Sequence, residues 1–273
     1  MTGATSGIGA VAAQQLARAG ARIVLIARDK PRGTAALAAL HACSPGPHRL
    51  YFGDLSLIRD TRAVGAAIAA DERRIDVLVN NAGALFAARS VTAEGLERTF
   101  ATNHMSYFEL TAQLRERLIA SAPARIVNTA SAAHRRARPD WSDLQSLRRY
   151  SGVQAYSRSK LYNILYTREL ARRLEGTGVT ANCFHPGFVA TRFGDRSGGL
   201  TAAGLRILKL FAISPEEGAK TLLYLATANE ARPSTGLYFY QSRPARTSPD
   251  AMDDARARAL WQESERLAAA AAS

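Results

Sequence analysis

Six short apolar runs govern what this chain can fold into. They lie at residues 22–27, 49–53, 75–80, 125–129, 179–184 and 236–240. Between them run Ala- and Leu-rich stretches whose apolar residues recur at three- and four-residue spacing, the mark of amphipathic helices. Strand and helix in alternation imply a parallel sheet with helices on both faces, an α/β doubly wound domain. The runs are almost continuously apolar rather than alternating, as strands buried on two sides must be. A chain of 273 residues with 47% hydrophobic and 22% charged residues can bury the core this architecture needs. Neither internal repeats nor a linker divide it, so residues 1–273 read as one domain.

Local signals suggest where elements begin and end. Gly20 and Gly178 read as helix C-caps. Thr92 with Glu94 and Glu97 predicts a helix start with acids in its first turn. Ser214-Pro215-Glu216-Glu217 predicts another, with serine as N-cap and proline at the first helical position. The glycines at 194, 198, 199 and 204 break the rhythm, and predict a substrate flap at about 190–213 with one helix over 202–211. Residues 241–250 read as loop, and residues 253–271 as a terminal amphipathic helix.

The formal charge of +13 comes almost wholly from arginine, since lysine occurs only at Lys30, Lys160, Lys209 and Lys220. The arginines are scattered in twos and threes, as at Arg115/Arg117 and Arg172/Arg173, and no nucleic-acid-binding motif accompanies them. A solvated basic surface is the plainer account, and no nucleic-acid partner is expected. Cys43 and Cys183 are too few to staple a chain of this length, which excludes a disulfide-rich secreted class. A reducing, cytoplasmic setting is expected. No apolar run reaches the roughly 20 residues of a membrane-spanning helix, and Met1-Thr2-Gly3-Ala4 does not resemble a secretory leader. The histidines show no metal-ligand spacing, so no metal is expected.

Chemistry first appears at Thr2-Gly3-Ala4-Thr5-Ser6-Gly7-Ile8-Gly9, where the glycines fall at G-x-x-x-G-x-G before a helix. Such a turn suits a dinucleotide. Gly3 permits the tight turn, Gly7 lets the backbone approach a pyrophosphate, and Gly9 lets the helix pack closely. The helix N-terminus then offers free N–H groups to the phosphates. An ordinary glycine-rich loop is the alternative. The next run ends Ile26-Ala27-Arg28, with no acid to hold a ribose 2′-hydroxyl, and with Lys30 and Arg32 close by. A guanidinium there forks onto a 2′-phosphate, which argues for NADP(H) over NAD(H), against the alternative of a surface arginine. Asp54 after the next run is an acceptor for the adenine amino group, and Asn80-Asn81-Ala82-Gly83 ends a strand where doubly wound sheets bind ligands.

Tyr156 and Lys160 stand at i and i+4 on one helix face. A phenol with a pKa near 10 is a poor proton shuttle at neutral pH, and a nearby ammonium favours the phenolate. Ser131, in the loop after Asn128-Thr129-Ala130, is placed to donate to a substrate oxygen, and Asn103 lies in the helix after Phe100-Ala101-Thr102.

Together these motifs resemble, in order and over nearly the whole chain, the short-chain dehydrogenase/reductase family with its Rossmann fold. Residues 125–128, His134, the run Tyr156 to Leu165, His185-Pro186-Gly187, and Leu260-Trp261 with Ser264 are similar to its retinol dehydrogenase-like branch. The resemblance implies that Tyr156 is the general acid/base, that Lys160 holds the nicotinamide ribose and lowers the Tyr156 pKa, and that Ser131 polarises the carbonyl. Asn103 would position a water that relays protons to Lys160. Pro186, Gly187 and Thr191 would lie against the nicotinamide. Gly3, Thr5, Ser6, Gly7, Ile8 and Gly9 would hold the pyrophosphate side. Asp54 and Leu55 would flank the adenine, and Asn81, Ala82 and Gly83 would complete the cofactor seat.

The implied substrate is a small carbonyl or alcohol compound. Phe188, Phe193, Leu200, Leu205, Leu208 and Phe211 suggest that it is lipophilic, although core packing explains some of them equally well. A catalytically idle NADP-binding regulator on the same fold is the alternative, and a homo-oligomer is compatible with either. One departure stands out. In a doubly wound order of 3-2-1-4-5-6 the glycine turn follows a central strand, and Met1-Thr2 leaves no room for one. The sequence thus leads to the expectation that a Val/Ile-rich strand begins roughly 5–30 residues upstream, together with any anchor.

Overall fold

The computed structural model describes residues 1–187 and 213–271. The six apolar runs become strands β1 (Val24–Ala27), β2 (Arg49–Phe52), β3 (Val77–Asn80), β4 (Ala124–Thr129), β5 (Val179–His185) and β6 (Tyr238–Tyr240). Their pairings, β1 with β2 and then β3 to β6 in sequence order, are all parallel. The helices between them are α1 (Gly7–Arg18), α2 (Lys30–Cys43), α3 (Ile58–Asp71), the single turn α4 (Arg98–Phe100), α5 (Ser106–Ala120), α6 (Gly152–Arg173), α7 (Pro215–Thr227) and α8 (Asp254–Ala270). A π-helical turn, Ala101–Met105, joins α4 to α5, and a 3-10 turn, Ala132–Arg136, follows β4.

The continuous apolar runs now have their reason. Along each strand, neighbouring residues point to opposite faces of the sheet. Leu78, Ile126, Ala181 and Tyr238 enter one core with α3, α5, α6 and α8, while Val79, Val127 and Phe239 enter another with α1 and α7. Both faces are dry, so both sets of positions must be apolar. Among the described residues no helix is long and apolar enough to cross a membrane.

The ladder breaks between β1 and β3, where a doubly wound sheet has its central strand. Met1 and Thr2 lie there instead. Thr2 bridges to Ile26, its N–H donates to Val79 O at 3.0 Å, and Ile26 N–H donates to Met1 O at 3.1 Å. The terminal amino group of Met1 donates to Val24 O at 2.6 Å, and burial draws its pKa down to about 5. The result is a two-stranded sheet beside a five-stranded one.

Three joints differ from the sequence expectation. Gly178 has a positive φ of 77°, but α6 has already ended at Arg173, so Gly178 serves the turn into β5. Thr92 and Glu94 do not start a helix. Glu97 caps α4 instead, accepting from Thr99 N and Phe100 N, while Glu94 reaches back to accept from Ile58 N and Arg59 N at the uncapped start of α3. The expected loop 241–250 contains a fifth strand of the larger sheet, β7 (Arg243–Pro244), antiparallel to β6 through a turn at Gln241 and Ser242. Ser214 and Pro215 open α7 as expected, with Ser214 Oγ accepting from Glu217 N. The expected flap, apart from Ile213, and its helix 202–211 lie outside the described residues.

Candidate active site

The glycine turn packs too closely for side chains. A Cβ on Gly3 would meet Ala82 N and Cα at 2.8 Å, and one on Gly9 would overlap the Gly3 carbonyl oxygen and come within 2.6 Å of Asn81 Nδ2. Gly3 and Gly7 also take positive φ values of 65° and 56°. Thr2 ties this turn to the end of β3, its Oγ1 accepting from Asn81 N and Ala82 N, both at 2.9 Å. Asn81 returns the contact through Nδ2 to Gly3 O at 3.3 Å, and Thr129 Oγ1 of β4 donates to Asn81 Oδ1 at 3.1 Å. Ser6 precedes α1 without a side-chain cap, which leaves the first N–H groups of the helix available to an anion. Thr5 is half-buried beside it, and Ile8 turns into the core beneath α7. A cradle that a Cβ would fill, beneath uncapped amides, fits a pyrophosphate.

At the ends of β1 and β2, Arg28 Nη1 lies 3.6 Å from Asp54 Oδ2, with the guanidinium about half exposed. Asp54 Oδ1 is engaged by Ser56 N and Oγ, and the neighbouring Leu55 packs against the larger core.

The catalytic candidates converge at the C-terminal ends of β3 and β4. Asn103 sits in the π-helical turn, fully buried, and its amide staples Ala84: Oδ1 accepts from Ala84 N at 2.8 Å and Nδ2 donates to Ala84 O at 2.9 Å. Nδ2 also lies 3.0 Å from Ser159 Oγ. A Cβ on Gly83 would sit 3.4 Å from both Asn103 Oδ1 and Lys160 Nζ, so these groups close on one backbone point. Lys160 is buried, and its Nζ donates to Thr129 O at 3.0 Å and lies 5.5 Å from the centre of the Tyr156 ring. Ser131 caps the 3-10 turn, its Oγ accepting from Ala133 N at 3.1 Å and hydrogen-bonding Tyr156.

The electrostatics differ from the simple expectation. Burial pushes Tyr156 up to about 12, only partly offset by Ser131, and draws Lys160 down to about 7. Desolvation penalises phenolate and ammonium alike, and it is the largest cause of both shifts.

Behind the site, Gly187 has a φ of 94°, and its N–H donates to His185 Nδ1 at 3.1 Å. Pro186 precedes it at the end of β5. Thr191 lies outside the described residues. Thr2 and Ser159 were not singled out from the sequence. Thr2 adjoins the glycine turn and Ser159 lies within the Tyr-x-x-x-Lys spacing, but their partners are distant in the chain.

The chain matches the family model for short chain dehydrogenases over residues 1–198. Human retinol dehydrogenase 12 is 40% identical over 265 residues, spanning 97% of this chain and 84% of that protein. A crystal structure of an uncharacterised Mycobacterium paratuberculosis protein superposes with a TM-score of 0.78 at 33% identity, covering 98% of this chain and 91% of the other. A Burkholderia cenocepacia short-chain dehydrogenase in complex with NADP gives 0.70 at 26% identity, covering 87% and 92%.

Proposed function

The chain belongs to the short-chain dehydrogenase/reductase family, on its retinol dehydrogenase-like branch, and from that membership we propose an NADP(H)-dependent oxidoreductase that interconverts a lipophilic alcohol and its carbonyl compound. That it is a nicotinamide-dependent dehydrogenase or reductase follows from the family. The observation that supports turnover, against an idle regulator, is the meeting of Ser131 and Tyr156 hydroxyls beside the buried Lys160.

A bound nicotinamide supplies or accepts the hydride at the substrate carbon. Everything else falls to side chains. Ser131 and Tyr156 present two O–H groups to one carbonyl oxygen, stabilising the negative charge that develops there. Tyr156, protonated at neutral pH, delivers its proton to that oxygen in reduction and takes it back in oxidation. Lys160, once charged, offsets the phenolate that remains.

Three cationic side chains, Arg28, Lys30 and Arg32, stand at the start of α2, against one acid, the N-cap Asp29, whose carboxylate accepts from Arg32 N. Positive charge at a helix N-terminus is unfavourable by itself, and a 2′-phosphate would relieve it. That supports NADP(H). The similar Burkholderia cenocepacia structure is an NADP complex. The name of human retinol dehydrogenase 12 points to an apolar alcohol as the substrate type. The test is NADPH oxidation by purified protein with decanal, an aromatic aldehyde and a cyclic ketone. Turnover is expected with at least one, lost in Tyr156→Phe. Tight NADPH binding without turnover across a broad panel would favour the idle regulator instead.

A further inference from the structure

His134 is almost wholly buried three residues after Ser131. Its ring joins two distant parts of the chain. Nδ1 lies 2.6 Å from the Ser131 carbonyl oxygen, and Nε2 lies 3.2 Å from the Ser248 backbone nitrogen. A backbone N–H only donates, so Nε2 must be the lone-pair acceptor. The proton therefore resides on Nδ1 and is donated to Ser131 O, and both ring nitrogens are satisfied by one neutral tautomer. Burial lowers the pKa of this imidazole, and Arg135 acts in the same direction. The other groups facing it are the Tyr238 ring, edge-on at 5.1 Å, and His185. A second tie runs in parallel, from the Arg135 guanidinium to Arg246 O.

We propose that His134 is a positioning residue for Ser131: its ring fixes the serine carbonyl against the C-terminal segment 243–252, and so aims the serine hydroxyl at Tyr156. Ser131 has extended backbone, with φ of −164° and ψ of 155°, and its carbonyl also accepts from the His134 N–H at 3.2 Å. With that carbonyl held at two points, rotation of the Ser131–Ala132 peptide is blocked, and Oγ keeps its contacts with Ala133 N and Tyr156. Segment 243–252 thereby belongs to the support of the reacting groups although none of its residues was placed among them.

The inference rests on the functional reading of Ser131, and the experiment separates the two. His134→Asn places an amide N–H near the position of Nδ1 and keeps the bond to Ser131 O, while losing ring volume and the acceptor that receives the Ser248 N–H. His134→Phe keeps the ring that packs on Tyr238 and loses the donor. Positioning predicts that kcat with NADPH and decanal, or the panel member turned over fastest, falls about 10–100-fold in His134→Phe and stays within about fivefold of the parent in His134→Asn. The NADPH dissociation constant, read by fluorescence, should stay within about twofold in both. A purely packing role predicts the reverse order, and that order, or equal turnover in the two variants, overturns the proposal. Melting curves check that each variant folds. If the phenylalanine variant does not, His134→Gln replaces it, because its longer amide reaches Ser248 and not Ser131. Ser131→Ala is run alongside. Undiminished turnover there would bring down the functional reading, whereas lost turnover there with the wrong His134 order would bring down the positioning role alone.

Discussion

Lys160 Nζ donates to the carbonyl oxygen of Thr129 at 3.0 Å, and among the described residues no carboxylate forms an ion pair with it. The amine is thus buried at the end of β4 with one neutral acceptor, and desolvation holds its pKa near 7. Tyr156 beside it is held as a phenol. Near neutral pH Tyr156 therefore keeps its proton, ready for a substrate oxygen, while Lys160 gains or loses one at little cost.

Tyr156→Phe should lower kcat by about 10²–10⁴-fold and leave NADPH affinity within a few-fold of the parent. The ring that packs at the site remains and only the transferable proton is lost. Steady-state rates with the best panel substrate, alongside NADPH titrations, decide it. Near-normal turnover would remove Tyr156 from the chemistry.

Arg28→Ala should erase most of a preference for NADPH over NADH. One charged hydrogen-bonding contact of this kind is worth about 1.5–3 kcal/mol. Dissociation constants for both cofactors, in parent and variant, measure it. Equal affinities in the parent would refute the role outright, and a preference kept by the variant would transfer it to Lys30 or Arg32.

Glu94→Ala should destabilise the fold by about 0.5–2 kcal/mol without touching the reaction. Its carboxylate accepts from Ile58 N and Arg59 N, where Leu57 gives α3 no side-chain cap. Urea unfolding with kcat measured on the same sample checks both halves of the statement.

Stability should rise as the pH rises from about 4 to 6.5. His104 is buried, with Nε2 3.0 Å from Ser264 Oγ of α8, and burial lowers its pKa to about 4. In that window the unfolded chain binds a proton that the folded chain refuses, so acid favours unfolding. The shift corresponds to about 3 kcal/mol, present above pH 6.5 and lost as the pH falls through 4. His48, His134 and His185 are displaced in the same direction. His104→Phe should therefore flatten the pH dependence of the unfolding free energy without abolishing it. An unchanged slope would show that His104 is protonated in the folded protein.

The order of the strands and the reacting pair were legible because each is written locally. The apolar runs at 22–27, 75–80 and 125–129 lie where β1, β3 and β4 form, and Tyr156 and Lys160 need only one helix to meet. What sequence spacing does not reveal is where a side chain goes when its partner is far along the chain. Glu94 looked like part of its own helix start and caps another 35 residues away. The turn at Gln241 and Ser242 carries left-handed backbone on two residues that signal no turn by type. The pKa values of Tyr156 and Lys160 depend on how thoroughly water is removed, and a motif does not record that.

Between β1 and β3 lies a joint where the backbone hydrogen bonds run through Met1 and Thr2. Arg28 and Asp54 stand on one side of it, Gly83 and Lys160 on the other. A dinucleotide spanning those residues would act as a tie-rod across the joint, and its binding energy would be felt as mechanical coupling of the halves. At a hundredfold excess over its dissociation constant it adds about 2.7 kcal/mol to the folded state. Amide exchange at Leu25 and Ile26 would slow accordingly, while the interior of β4, already paired on both sides, would change little.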